Sequence, residues 1–205
     1  VNTLTPTPDG YLLSHPRYAV RFDSQGITMT PRTGPQWKWR FVGAGPATAG
    51  SESARWIVSG AGEVGPQGQE GSGVVYARGP VEERYLFRGD HVEQQFVLNQ
   101  PLASPVTDLE LVGEIGCEGR LESGSDGWLW RTNGGVVSLG HVRVYDARGR
   151  ELPARMDVVA RETRITIDGP ALAEAVYPVT VDPEIGTNDF RLSDMGIDGD
   201  ITFDG

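Results

Sequence analysis

The sequence predicts an all-β fold: an antiparallel β-sandwich-like module of many short strands, followed by an acidic extended tail. Three observations predict it. Apolar and polar residues alternate with period two along much of the chain, turn formers separate the alternating runs, and long helical patterns are scarce. With 28 Gly and 14 Pro in 205 residues, punctuation is frequent enough to keep every strand short. Two packed sheets are the economical way to bury so many half-apolar strands.

Taken in order, Tyr18-Ala19-Val20-Arg21-Phe22 and Ile27-Thr28-Met29, separated by Asp23-Ser24-Gln25-Gly26, predict a hairpin. Trp37, Trp39 and Phe41 alternate with Lys38 and Arg40, which puts three aromatics on one face of a strand and two cations on the other. Residues 43–73 mix Gly, Ala, Ser and Pro around a short run at Arg55-Trp56-Ile57-Val58 and predict a flexible segment. Strands follow at 74–77, 83–87 and 91–98, the last two joined by Arg88-Gly89-Asp90, and at 109–115 and 127–130. Two more are expected at 136–139 and 141–145, then strands at 156–159 and 163–168. Pro170 to Ala175 reads as one helical turn, too short to be more than a connector.

Charge and cysteine content exclude some classes of function. A net charge of -10 argues against nucleic acid and anionic membrane as partners, because phosphate contacts need clustered Lys and Arg. It is compatible with cation binding. Cys117 stands alone, so no intramolecular disulfide is available and stability must come from packing or bound ions. No apolar run is long enough for a bilayer-spanning helix. Val1 opens without a basic and apolar leader, which leaves a cytosolic protein or one whose export signal has been removed.

The run from Val142-Arg143-Val144-Tyr145-Asp146 to Tyr177-Pro178-Val179-Thr180-Val181-Asp182-Pro183 resembles the ending of β-rich domains that precede β-propeller-type repeats in large exported bacterial proteins. Gly186 to Asp200 resembles the start of such a repeat. The resemblance is confined to Val142–Gly205, and its motifs punctuate structure rather than mark an active site. It implies a secreted or cell-surface setting, with adjacent repeat domains of the same protein as partners. It also implies a domain over 1–183 and an acidic exit segment over 184–205.

Calcium is the sharpest chemical expectation. Asp194, Asp198, Asp200 and Asp204, with Gly199 at a turn, supply the carboxylates and the tight bend that a hard cation needs. Their spacing departs from the helix-flanked twelve-residue loop, and the alternative is an acidic, solvated linker. Aromatic pairs at Trp37 and Trp39 and at Trp128 and Trp130 suggest a second reading, a carbohydrate-binding module that stacks sugar rings. Trp at alternate strand positions more often fills a sandwich core.

Arg88-Gly89-Asp90 matches an adhesion tripeptide, although Gly-Asp also suits a hairpin turn. Cys117, His141 and Asp146 can be drawn as a nucleophilic triad, against the usual role of a free Cys as a small buried hydrophobe. Glu82, Glu83, Glu93 and Glu110 sit on predicted strands where a hydrolase could pair two acids, yet such residues simply face water on alternating strands. No catalytic residue is therefore expected. The sequence reading is a non-catalytic structural module that caps or spaces a repeat array and self-assembles, with calcium rigidifying its exit.

Overall fold

A computed structural model describes residues 2–32, 34–47, 57–59, 62–67, 72–88, 91–102, 107–124, 127–132, 135–187 and 190–191. In chain order the first strands are β1 (Thr3–Thr7), β2 (Gly10–His15), β3 (Tyr18–Asp23), β4 (Gly26–Pro31), β5 (Trp37–Pro46) and β6 (Val58–Ser59). There follow β7 (Glu63–Gln67), β8 (Gly73–Arg78), β9 (Val81–Arg88), β10 (His91–Leu98), β11 (Leu109–Cys117) and β12 (Arg120–Gly124). The last are β13 (Gly127–Thr132), β14 (Gly135–Tyr145), β15 (Ala154–Val159), β16 (Glu162–Ile167), helix α1 (Gly169–Ala173), β17 (Val179–Thr187) and β18 (Phe190–Arg191).

The fold is the all-β sandwich that the alternation predicts. One nine-stranded sheet runs β1-β2-β3-β4-β5-β11-β16-β15, with β6 attached to β5; the other runs β12-β13-β14-β17-β10-β9-β8-β7, with β18 attached to β17. Every pairing is antiparallel. The chain lays down a meander in the first sheet and another in the second, then returns to fill the gaps: β11 docks beside β5, and β17 slots between β14 and β10.

The sheets meet through their alternate side chains. On β5, Trp37, Trp39 and Phe41 are buried while Lys38 and Arg40 are exposed, as a two-residue period requires. Phe96 of β10 packs against both Trp39 and Phe41, with ring centroids 6.3 and 5.5 Å apart, and Phe22 meets Tyr85 edge-on at 5.3 Å. Asp168 caps α1 by accepting from the Ala171 amide at 2.8 Å, and Pro170 opens its first turn.

The structure joins two expected strands into one and adds others that the sequence reading did not include. Thr3–Thr7 and Gly10–His15 form a hairpin that the run of Pro and Thr residues concealed; β1 is a sheet edge, where Pro6 is tolerated because its missing N–H has no neighbour to serve. The two strands expected at 136–139 and 141–145 are one, β14, with a register irregularity between Leu139 and Val142. β12 is a further short edge strand that no hydrophobic alternation announced. β17 runs through Pro183 to Thr187, where it pairs with Val137. Within the segment read as flexible, residues 48–56, 60–61 and 68–71 lie outside the described residues.

Candidate functional site

The most organised polar chemistry among the described residues lies between the sheets. Alternation along β9 turns Val81, Glu83 and Tyr85 inward, and along β8 it turns Val74, Tyr76 and Arg78 inward. Glu83 is thus 1% exposed, not facing water as its polarity suggested. Its carboxylate is filled from both sheets. Oε1 accepts from Trp39 Nε1 at 3.0 Å, Tyr85 Oη at 2.7 Å and Gln94 Nε2 at 3.1 Å. Oε2 accepts from Arg78 Nη2 at 2.6 Å and Nε at 3.2 Å.

Arg78 is held as tightly. Its guanidinium carbon lies 5.0 Å from the Phe41 ring centroid and 4.9 Å from that of Tyr76, so two aromatic faces replace the water it has lost. Tyr76 in turn donates to the Gly26 carbonyl at 2.8 Å. Gly26 has φ +126, and a Cβ there would lie 2.2 Å from the Trp39 carbonyl oxygen, so the crossing of β4 and β5 admits only glycine. Burial first, then the Glu83 charge, pushes the Tyr76 and Tyr85 hydroxyls well above the ordinary tyrosine range.

Chemically, this cluster is an inter-sheet clasp. Five donors occupy the Glu83 oxygens, so the carboxylate has little capacity left to take a proton from a substrate. Trp39 and Phe41 come from one sheet, and Arg78, Glu83, Tyr85 and Gln94 from the other. The clasp fixes how the two layers face each other. The sequence signal that could have found it is parity: Glu83 shares its face of β9 with Val81 and Tyr85.

The other candidates are scattered. Trp37, Trp39 and Trp130 are buried at 0, 2 and 2% exposure, and Trp128 is half-buried, so the first three rings cannot stack on a sugar from solvent. Glu93 and Glu110 each lie between inward-facing neighbours, on strands of opposite sheets, and therefore point away from one another. Glu82 instead pairs with Arg84 through Nε at 2.8 Å, and Arg88 with Glu93 at 2.9 Å. Cys117 is buried, which pushes its thiol up, while His141 is exposed.

Asp146, the third member of the drawn triad, has a different task. Its Oδ1 accepts from the amides of Arg148 and Arg150 at 2.9 and 3.0 Å, and Oδ2 from that of Val176 at 3.3 Å. Burial alone would raise its pKa; these backbone donors outweigh that and hold it below the usual carboxylate value. Asp146 therefore ties the turn after β14 to the approach to β17. On β17 itself, Asp182 accepts from Tyr145 Oη at 3.1 Å. Asp194, Asp198, Asp200 and Asp204, and Gly89 and Asp90 of the tripeptide, lie outside the described residues.

No protein-family description, curated protein or solved structure matches this chain.

Proposed function

We propose that the chain is a non-catalytic structural module of an exported, multi-domain surface protein, which caps or spaces the repeat array that follows it and assembles with copies of itself. The observation that carries this reading is the placement of β17. The strand that leads to the acidic segment enters the sheet between β10 and β14: Thr180 and Val181 are paired on both sides, and the strand then follows β14 as far as Thr187 rather than fraying at an edge. A following unit attached there inherits a fixed direction. The Glu83–Arg78 clasp supports the same role by holding the sheets in one relative position.

Calcium at Asp194, Asp198, Asp200 and Asp204 belongs to the proposal and rests on residue type and spacing. Native-state hydrogen exchange tests the anchored exit: the Thr180 and Val181 amides should exchange only with the global unfolding free energy, and exchange there through local opening would sink the reading. Thermal unfolding across free calcium concentrations and in chelator tests the metal. A melting temperature that climbs with calcium, and no longer does so when Asp198 and Asp200 are changed to Asn, supports a stapled exit. An unchanged melting temperature removes calcium and leaves an acidic linker.

A further inference from the structure

The outer face of the first sheet carries a groove centred on Lys38 of β5. Gly116 of β11 lies directly opposite Lys38 of β5, so the sheet surface drops away beside the lysine where another strand residue would stand. Two cavities of about 730 and 370 Å³ adjoin there, and Lys38, Gly116 and Arg161 line both. Each volume falls within the range of small-ligand sites, about 300–1,000 Å³. Gln36, Arg131 and Thr132 extend the larger lobe, and Gln25 and Thr28 the smaller.

The charge of this surface runs against that of the molecule. In a chain of net charge -10, Lys38 and Arg161 have no carboxylate partner among the described residues. Arg131 pairs with Glu122 at 2.8 Å and Arg40 with Glu114 at 2.6 Å, and Glu118 borders the larger lobe. The centre of the groove at Lys38 and Arg161 is thus cationic, with hydroxyl and amide groups to either side and the carboxylates of Glu118 and Asp23 farther out at the larger and smaller lobe. Its floor at Lys38 and Gly116 is the face of paired strands, whose main-chain groups are committed to the ladder. An extended peptide finds no open strand edge there. A ligand read by side chains alone, with carboxylates for the cations and hydroxyls for the amides and alcohols, fits better.

We propose that this groove binds an acidic oligosaccharide, whose carboxylates meet Lys38 and Arg161 and whose hydroxyls meet Gln36, Thr132 and Thr28. This site uses the face of β5 opposite the buried tryptophan side chains and does not depend on the module being a spacer. Gly116 gives a direct handle on it. A Cβ there would lie 3.4 Å from Lys38 Cβ, which is ordinary contact, so a larger residue fills the groove without forcing the backbone.

Calorimetric titration of the whole chain with a galacturonic acid tetramer tests the proposal, with a neutral galactose tetramer, a glutamate tetrapeptide and inorganic phosphate as comparison probes. The acidic tetramer should bind, more weakly at high salt, and the neutral one should not. Lys38→Gln with Arg161→Gln should weaken binding at least about tenfold, the scale of one lost charge-assisted contact, and Gly116→Val should do the same by occlusion. Failure of the acidic tetramer to bind, or undiminished binding to the charge variant, overturns the proposal. So does equal affinity for the tetrapeptide or for phosphate, which would make the groove an acidic-peptide or simple-anion site. The charge variant alters only exposed side chains, so it keeps the test decisive if Gly116→Val melts early.

Discussion

Arg78 and Glu83 form a two-pronged ion pair, through Nη2 at 2.6 Å and Nε at 3.2 Å, with side chains 2 and 1% exposed between the two sheets. Breaking one side of such a pair leaves the other charge stranded. Glu83→Gln should cost about 3–5 kcal/mol in urea unfolding, whereas Arg78→Met with Glu83→Leu, which removes both charges, should cost clearly less. A single variant within about 1 kcal/mol of the parent would show that the clasp is dispensable.

Gly113 and Trp39 set a second constraint. A Cβ at Gly113 would lie 2.2 Å from Trp39 Cζ2, beside the register shift where β11 meets β5. Gly113→Ala should therefore destabilise by about 1–3 kcal/mol and move the indole. Trp39→Phe in the same chain should recover part of that loss, a coupling that a double-mutant cycle reads directly. Additive effects of the two changes would sink the steric account.

Four tyrosines should resist ionisation. Burial raises the hydroxyls of Tyr76, Tyr85 and Tyr177, and burial together with the neighbouring Asp182 charge pushes Tyr145 up to about 12. A pKa raised on folding stabilises the native state below the unfolded value of about 10, and that stabilisation disappears as pH rises through the folded value. Absorbance titration should show Tyr76, Tyr85 and Tyr145 silent at pH 10 in the native chain and titrating there in urea, with Tyr177 titrating higher in the native chain than in urea. Native titration of all six tyrosines near pH 10 would contradict the buried network.

Asp146 works in the opposite direction. Its pKa is lowered on folding, so its contribution is present above the ordinary carboxylate value of 3.8 and is lost as pH falls through the lower folded value. Asp146→Asn should melt below the parent at neutral pH, with the gap narrowing in acid below that ordinary value. A gap that stays constant from neutral pH into that acid range would remove the charge from the explanation.

Strand parity was the readable part of this molecule. Trp37, Trp39 and Phe41 announce their buried face because two cations alternate with them, and the hairpin over β3 and β4 follows from its turn residues. Polarity misled at Glu83: its charge suggested water, while its parity with Val81 and Tyr85 placed it inside, and burial of the apolar neighbours decided the matter. Partners distant in sequence were not legible. Nothing local to Arg78 announces Phe41, and nothing local to Lys38 reveals that Gly116, on a strand more than seventy residues later, opens the surface beside it. β1 was hidden by prolines that only an edge position excuses.

The slot occupied by β17 also dictates when the second sheet can exist. β10 and β14 each hydrogen-bond to β17 and are neighbours through it, so a nascent chain synthesised only as far as Tyr177 holds that sheet as two halves, β7 to β10 and β12 to β14. Both halves then carry an open inner edge, competent to capture a wrong strand, until the closing segment emerges. Completion requires pairing across a long stretch of sequence, which is slow. The second sheet therefore stays open until the chain has been made through β17.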